Sequence, residues 1–405
     1  MNLPVFALFA GMLGLFPFLS AYLVRLGADP AVAGAILAAY SAANVLGNAT
    51  GGWLADRRGR AWPVRVGLAG TVGSLVLYAV PRLELVALAH ALHGFMAGMA
   101  TPSAFAWVGD RGRRTGQGRT MGRTGAAIAL AAVLAPAAGG VLAQRAGPDR
   151  VFLILAMVTV VALARAWRLA DAAGPLAPRV VAPGSPSPGP TPLAALATPP
   201  LLAAYGAALV IQAAFGLLIW LLPLQAQQAG IGSGAAGALM GLLGAVAGLW
   251  MGLGGSLADR LDRPAMVGAG LVGLTVGQGL LAGAAEPEQF WARGVAGAAV
   301  FGTGFGTAFP AAAAMVAEAT GSYQRGRAFG LFSIAFSLGA MASPAVGGVL
   351  VRQGWLVVPG VEGGMAAWWQ TPYVIGVVAA IALALVVGWP RRPGWWGLIS
   401  RRSDT

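Results

Sequence analysis

The chain has 405 residues, of which 58% are hydrophobic and only 10% are charged. Soluble globular proteins carry about 25% charged residues, so this composition excludes a water-soluble domain and indicates a membrane protein. The net charge is +13, and all 26 basic residues are arginine. The chain contains no cysteine, which excludes disulfides, thiolate metal sites and cysteine nucleophiles.

Apolar segments of about 20 residues, long enough to cross about 30 Å of hydrocarbon as a helix, recur along the chain. They predict twelve spans, at roughly 3–24, 31–54, 62–81, 84–108, 120–145, 150–169, 198–225, 234–257, 265–285, 290–316, 327–352 and 367–389. A segment rich in proline separates the sixth span from the seventh, and proline cannot continue a helix. The chain is therefore divided into an N-terminal six-helix bundle (1–170), a cytoplasmic linker (171–194), a C-terminal six-helix bundle (195–390) and a tail (391–405).

The arginines are distributed unevenly between the loops on the two sides of the predicted membrane domain. Twenty of them lie on the side of the termini and the linker, and six lie on the opposite side. Because basic residues are enriched in cytoplasmic loops, we expect a multi-pass protein of the cytoplasmic (inner) membrane with both termini inside the cell. Topology accounts for the positive charge, so no nucleic-acid partner is expected.

The two halves of the sequence repeat each other. A shift of 208 residues aligns Pro102 with Pro310, and it aligns Gly-Gly-Val-Leu at 139–142 with the same residues at 347–350. A second pair, GGWLADRRGR at 51–60 and GGSLADRLDR at 254–263, repeats at a shift of 203. Internal repeats in a protein of twelve spans are typical of secondary transporters, which bind their substrate between the repeats.

The loop between the second and third spans contains the pattern G-x-x-x-D-R-x-G-R, formed by Gly52, Asp56, Arg57, Gly59 and Arg60. This pattern resembles a signature of the major facilitator superfamily. A weaker second copy contains Asp259 and Arg260, with Asp262 in place of the second glycine. The resemblance covers nearly the whole chain. It implies an all-α membrane protein with twelve transmembrane helices in two pseudo-symmetric six-helix bundles.

The resemblance also implies that Asp56 helps to lock the two halves on the cytoplasmic side in the outward-facing state. From the residues themselves, Gly52 would permit a close approach of helices, and the arginines after Asp56 would provide it with partners and interact with the anionic leaflet. The alternative is that these charges only anchor the topology.

The acidic residues all fall near the ends of the spans, so the two histidines are the best candidates for a titratable group inside the membrane. His90 and His93 are three residues apart, on one face of the fourth span. They replace the arginine and glutamine of an R-x-x-Q-G pattern that the resemblance links to proton coupling. We therefore consider His90 and His93, with Glu84 or Asp29, as candidates for proton coupling. The alternative is a structural role.

Polar and small residues form a stripe on one face of the second span, at 40, 44, 47, 48 and 51. An amide is costly in lipid, so the stripe faces either a cavity or a tightly packed neighbour. Aromatic and amide side chains in the seventh, tenth and eleventh spans are similar candidates. The candidate cavity residues are Tyr40, Asn44, Asn48, Gln212, Phe215, Phe305, Phe332 and Phe336.

Two spans contain a proline followed by a pair of glycines. The sequence A-P-x-x-G-G at 135–140 resembles an element of the drug/proton antiporters of the superfamily, and S-P-x-x-G-G at 343–348 repeats it. Proline removes a helix hydrogen bond, so a bend used in gating is predicted, although a general folding kink would explain the symmetry as well. The residues are Pro136, Gly139, Gly140, Pro344, Gly347 and Gly348.

These patterns predict a secondary transporter that works as a monomer by alternating access, without a cofactor or a metal. The absence of an acid or arginine at mid-membrane argues against a strongly charged solute, and the aromatic lining favours an amphipathic or apolar compound. Proton-coupled export of a multidrug or lipid-like substrate is the first hypothesis. The alternatives are uptake or facilitated diffusion of a small neutral metabolite, and a non-transporting membrane sensor. No nucleophile or acid pair lies at one depth, so no enzyme activity is expected.

Overall fold

The computed structural model describes residues 2–115, 117–169, 196–258, 262–284, 287–320 and 325–353. In these ranges the chain forms the helices α1 Asn2–Leu13, α2 Leu19–Arg25, α3 Pro30–Arg58, α4 Ala61–Tyr78, α5 Leu83–Thr115, α6 Gln117–Ala146, α7 Pro148–Arg168, α8 Pro199–Gln228, α9 Ser233–Ala258, α10 Arg263–Ala282, α11 Pro287–Glu318 and α12 Arg325–Arg352. The predicted linker, the twelfth span and the tail lie outside the described residues.

Within the described ranges, nine helices are long and apolar enough to cross a membrane, namely α3 and α5 to α12. Helices are the expected form because backbone groups in hydrocarbon must be satisfied within their own segment. The helix α4 occupies the predicted third span. The first span was expected to be one helix, but the chain turns at 14–18 between α1 and α2. This turn contains Pro17, which cannot donate a helix hydrogen bond.

Capping side chains set the start of several helices. Asp29 precedes α3 and accepts a hydrogen bond from the backbone N–H of Val32 at 2.8 Å. Asp262 precedes α10 and accepts from the N–H of Ala265 at 3.2 Å. At the other end of α3, Gly59 has a φ of +80°, a conformation that side chains with a Cβ rarely adopt. Both aspartates therefore stabilise helix starts at the membrane surface.

The helices α1 to α7 form one half of the protein, and α8 to α12 form the described part of the other. The second half has a large buried core of its own, which includes Phe290 and Phe301. A further cluster joins the halves, because Trp220 of α8 packs with Phe18 and Leu19 at the start of α2.

Neighbouring helices within each half approach through glycine. Along the contact of α3 with α5, glycines of each helix lie against backbone atoms of the other: Gly47 on Phe95, Gly51 on Met99, Gly94 on Tyr40 and Gly98 on Asn44. The pair α10 and α11 packs in the same way. Small residues at such contacts let backbones come together in lipid, where apolar burial provides no driving force between helices.

The two halves contact each other at one end of the bundle. Gly34 near the start of α3 lies against the Pro344 carbonyl and Gly348 of α12, and Gly140 of α6 lies against Ser233 and Gly237 of α9. The arginine distribution predicts that this end is extracellular.

Side-chain hydrogen bonds connect the halves at the same end. The Gln144 amide donates to the Ile231 carbonyl at 3.2 Å and accepts from the Gly234 N–H at 2.8 Å. The Ser233 hydroxyl donates to the Gly140 carbonyl at 2.9 Å. We call these contacts the latch.

Toward the other end, α6 and α9 separate. A Cβ on Gly248 would lie 3.8 Å from the Cβ of Ala129, whereas one on Gly252 would have no neighbour within 4 Å in the described part of the chain. The two halves are therefore closed at the end that carries the latch.

Two glycines of α10, two residues apart, provide a matched test of the packing. A methyl group on Gly277 would lie 2.7 Å from the Cα of Phe301, whereas one on Gly279 would meet only open space. We expect Gly277→Ala to lower the thermal midpoint in detergent. Gly279→Ala should leave it unchanged or raise it, because alanine favours a helix by about 0.5–1 kcal/mol over glycine. Equal midpoints for the two variants would contradict this account of the contact.

The latch gives a second prediction. Gln144→Ala removes two hydrogen bonds worth about 1 kcal/mol each, so the closed end should open up to about thirtyfold more often. Ala132 of α6 packs against Gly244 of α9, and in this chain without cysteine Ala132→Cys is a single reporter. In Gln144→Ala, an impermeant maleimide added at the closed end should label the reporter several-fold faster. The exposed Gln227 provides the control, and equal labelling in Gln144→Ala and Gln227→Ala would contradict the prediction.

Candidate functional site

The two histidines lie together in the interior of the first half. The hydroxyl of Tyr78 on α4 is hydrogen-bonded to Nδ1 of His90 at 2.5 Å, and the backbone of Leu37 on α3 also interacts with this ring. The ring of Tyr40 lies 5.1 Å from that of His90 and 5.4 Å from that of His93, between centroids. Helices α3, α4 and α5 thus enclose a pair of imidazoles between two tyrosines.

The two histidines differ in their hydrogen bonding. His93 is completely buried, and neither of its ring nitrogens has a partner among the described residues. Its Nε2 faces Gly11 of α1, where a Cβ would lie 3.6 Å away. The Thr71 side chain contacts the same glycine, and its buried hydroxyl also lacks a partner in that part of the chain. A buried polar group without a partner is rare and often marks bound water or a functional site.

The two carboxylates proposed as companions of the histidines lie elsewhere. Asp29 caps α3, and Glu84 is exposed in the first turn of α5. Neither interacts with His90 or His93, and no other acidic residue in the described ranges does so. Among the described residues, the two imidazoles therefore lie together without a carboxylate partner.

Six phenylalanines form a continuous cluster where the two halves meet. Phe16 in the turn between α1 and α2 lies 5.9 Å from Phe215 of α8, and Phe215 lies 5.9 Å from Phe305 of α11. Phe305 stacks on Phe309 at 5.8 Å with an interplanar angle of 13°. Phe309 in turn contacts Phe332 at 6.0 Å and Phe336 at 5.4 Å, both on α12. These six residues are called the phenylalanine cluster.

All members of the cluster except Phe332 are only partly buried, so each keeps a face free for a further contact. Gln212 lies one turn before Phe215 on the same face of α8. Its buried amide oxygen has no hydrogen-bond partner among the described residues. The arrangement combines flat apolar surfaces with one hydrogen-bond acceptor, which is the composition of a site for small organic molecules.

The cluster contains two residues that the sequence analysis did not select, Phe16 and Phe309. Phe309 lies one helical turn after Phe305, so the i, i+4 rule could have identified it. Phe16 could not be identified in this way, because it lies in a turn inside a segment that was expected to be a continuous helix.

The polar stripe on α3 faces α5. The Asn44 amide donates to the Gly94 carbonyl at 3.2 Å, and the Asn48 amide donates to the Asn44 side chain at 3.1 Å. The sequence left two alternatives for this stripe, a cavity or a tightly packed neighbour. Asn44 and the glycines near it on α3 face a tightly packed neighbour, α5. Tyr40 lies beside the histidines.

The signature loop lies at the end opposite the latch. Arg57 places its guanidinium 4.3 Å from the centroid of the Trp53 ring. The close approach expected at Gly52 is absent in the described residues, because a Cβ there would meet nothing within 4 Å. The Asp56 side chain, like Asp259 and Arg260 of the second copy, lies outside what the structure describes.

A salt bridge joins Arg263 at the start of α10 to Glu318 at the end of α11. Both residues belong to the sequence repeat, in which Arg263 corresponds to Arg60 and Glu318 to Asp110. The pair connects neighbouring helices of the second half at the membrane surface.

The two proline elements lie at the contact between the halves. Pro136 and Pro344 are both buried inside continuous helices, and their carbonyl groups face Gly237 of α9 and Gly34 of α3, respectively. Of the glycines that follow, Gly140 on Ser233 and Gly348 on Gly34 are contacts between the halves. Gly139 on Gly14 and Gly347 on the Trp220 ring are contacts within one half. Their proposed role in gating remains a prediction.

The chain was compared with known protein families, sequences and structures. Residues 3–263 and 205–403 match the Major Facilitator Superfamily. The chain is also similar to the quinolone resistance protein NorA of Staphylococcus aureus strain Mu50, with 27% identity over 141 residues. This match covers 35% of the chain and only 36% of the length of that relative.

Solved structures share the fold at low sequence identity. A mutant form of the nucleoside transporter NupG is similar with a TM-score of 0.77 and 14% identity, over 96% of this chain and 98% of that one. A D-xylose-proton symporter gives 0.72 and 14%, over 95% of both chains. A bacterial homologue of the human lysosomal transporter Spinster, in an inward-facing and occupied conformation, gives 0.72 and 16%, over 95% and 94%.

The family match spans both halves of the chain, and the described helices reproduce the fold of known transporters over nearly their whole length. The predicted fold class of two pseudo-symmetric helical bundles is confirmed, and a transporter rather than an enzyme is indicated. The chain belongs to the major facilitator superfamily.

Proposed function

We propose that this transporter exports amphipathic or apolar aromatic compounds from the cell in exchange for protons. The observation that supports the substrate class is the phenylalanine cluster, whose members come from both halves of the protein. Aromatic rings bind flat apolar molecules through stacked and edge contacts. The amide oxygen of Gln212, which has no partner among the described residues, can orient a ligand without requiring it to be charged. The similarity to a quinolone resistance protein supports export, over part of the chain.

The proposed direction and orientation rest on the arginine distribution. If both termini are cytoplasmic, the latch lies on the extracellular side, and the described conformation is inward-facing. A compound would then reach the phenylalanine cluster from the cytoplasm or the inner leaflet. Opening of the latch and closure of the opposite end would release it outside. We place the protein, as a monomer, in the cytoplasmic membrane.

The histidine pair is the proposed site of proton coupling. An ionisable group inside the membrane is costly and by default functional in a transporter. The structure gives the two rings different surroundings: His90 is hydrogen-bonded to Tyr78, whereas His93 has two buried nitrogens without a partner in the described ranges. We therefore assign the exchange of the proton to His93 and the positioning of the site to His90. Inward movement of the proton would drive outward movement of the compound.

The second candidate function is uptake of a small neutral metabolite. The orphaned Gln212 oxygen favours it, because a solute hydroxyl or amine could donate to this acceptor. Both functions can be compared in proteoliposomes that contain a pH-sensitive dye. Proton flux triggered by a quinolone or a lipophilic cation supports export. Saturable exchange of a nucleoside or sugar, without proton flux from the aromatic compounds, would replace the first proposal by the second.

If the phenylalanine cluster binds the substrate, removing one of its rings should lower the affinity for an aromatic compound. Phe309→Leu removes the ring that contacts three others, and aromatic pairs contribute about 0.5–1.5 kcal/mol beyond apolar burial. The dissociation constant of tetraphenylphosphonium should therefore rise by about tenfold, measured by equilibrium binding to the purified protein. Phe105→Leu, the same change at an exposed phenylalanine outside the cluster, is the control. If both variants bind like the original protein, the cluster is not the substrate site.

The division of roles between the histidines gives a further prediction. His93→Gln should retain exchange of labelled substrate across the membrane but lose the proton flux that substrate triggers. His90→Gln should retain the flux and lower the thermal midpoint, because a buried hydrogen bond worth about 1 kcal/mol is lost. Retained proton flux in His93→Gln would refute the assignment of the proton to this residue. If the unmodified protein exchanges none of the labelled compound, that compound is not a substrate.

A further inference from the structure

Arginine and tryptophan side chains contact one another at the end of the bundle opposite the latch. The guanidinium of Arg58 at the end of α3 lies 5.5 Å from the ring centroid of Trp62 in α4. The Trp62 ring meets the Trp167 ring of α7 edge-on at 6.0 Å, and Arg65 of α4 lies 4.8 Å from the Trp167 ring. We call these four residues the Arg–Trp ladder. The guanidinium of Arg57 on α3 also lies over a tryptophan ring, 4.3 Å from the centroid of Trp53. We call the ladder together with Arg57 and Trp53 the Arg–Trp corner.

Arg65, one member of the ladder, connects α4 to the end of α7 through hydrogen bonds. This arginine is buried, and it donates to the carbonyl groups of Ala166 at 3.3 Å and Leu169 at 3.2 Å. These are among the last carbonyls of α7, which have no partner within the helix. Arg65 thus holds the end of α7, and with it the Trp167 ring, against α4. It is a positioning residue, since its own N–H groups are directed into the protein.

The outer members of this corner face away from the protein. Trp53 and Trp167 are 55% and 54% exposed, and Arg57 and Arg58 are both exposed. Each tryptophan continues a row of exposed apolar residues on its helix: Trp53 follows Leu46 by seven residues. Likewise, Trp167 follows the exposed Val160 by seven residues on α7. Because residues seven apart share a helical face, both indoles border the lipid-facing surface.

The chemistry of this corner matches the boundary of an anionic leaflet. Indole rings prefer the interface between hydrocarbon and water. A guanidinium held over an aromatic face keeps its edge N–H groups directed outward, and these groups bind a phosphate in a bidentate manner. Free phosphate would use only the arginines, whereas a phospholipid would also cover the exposed indoles. The combination therefore favours a lipid.

We propose that this corner binds the headgroup of an anionic phospholipid. Arg57 and Arg58 hold the phosphate, while Trp53 and Trp167 pack against the glycerol and the first methylene groups of the acyl chain. Arg65 keeps Trp167 in position. The site lies on the outer surface of the first half, apart from the histidines and the phenylalanine cluster, and it does not depend on the proposed substrate.

Native mass spectrometry of the full chain from neutral detergent tests the site, with phosphatidylglycerol and phosphatidylcholine of identical acyl chains as probes. The original protein should retain phosphatidylglycerol over phosphatidylcholine. In Arg57→Gln/Arg58→Gln this occupancy should fall by up to about thirtyfold, because each of the two basic residues near an anionic surface contributes about 1 kcal/mol. The exposed Arg145 and Arg150 lie at the opposite end, so Arg145→Gln/Arg150→Gln removes the same charge and should retain the lipid.

A second variant tests whether the site recognises the lipid itself or only attracts its negative charge. Trp167→Leu keeps every arginine, and it should still reduce phosphatidylglycerol occupancy several-fold while the protein elutes as a single species. Equal retention of the two lipids, or an equal loss in both double-arginine variants, would overturn the proposal. Unchanged phosphatidylglycerol occupancy in Trp167→Leu would also overturn it, since that result would indicate an anion site without lipid recognition.

Discussion

Direct contact between helix backbones is the constraint on which the rest of this structure depends. In lipid, helices gain nothing from apolar burial against each other, so close packing must hold them together. Glycines on α3 and α5 lie against each other's backbones, and the same pattern recurs between α10 and α11. This contact fixes the level of α5 relative to α3 and α4. It thereby brings His90 and His93 between Tyr40 and Tyr78.

Glycine contacts between helix backbones also occur where the two halves meet, but there they do not continue along the whole length of the helices. Within a half, the glycine contacts continue along the helices. Between α6 and α9, they are close at the latch and disappear by Gly252 among the described residues. A surface of small residues with few interlocking side chains can separate and re-form at low cost. The side-chain hydrogen bonds of Gln144 and Ser233 add a directional contribution at one end only.

Apart from the break in the first span, the sequence was sufficient to predict the described helices and the family, because hydrocarbon imposes both the length and the apolar composition of each span. It was not sufficient to predict which faces meet. The stripe on α3 was compatible with a cavity or a neighbour, and only the position of α5 shows that Asn44 donates to a backbone carbonyl. Asp29 was considered as a proton site from its position alone, and only the structure shows that its carboxylate accepts a hydrogen bond from the Val32 N–H at the start of α3.

The phenylalanine cluster shows why candidate sites are harder to predict than spans. Four of its members lie on predicted helices and were selected for their residue type. Phe16 lies in the turn at 14–18, where the predicted first span is broken, so the pattern of a continuous helix did not place it beside the other members. The spacing of His90 and His93 predicted that they share one helical face, but their unequal surroundings follow from Tyr78, twelve residues before His90 on another helix.

The contact of Phe16 with Phe215 has a consequence for ligands of different size. The first ring belongs to one half and the second to the other, so a compound inserted between them would touch both halves at once. Its contacts would be most favourable when the separation of the halves equals its own thickness. A thin planar molecule would then stabilise an intermediate between the two end states and pass through. A bulky one would keep the halves apart and act as an inhibitor.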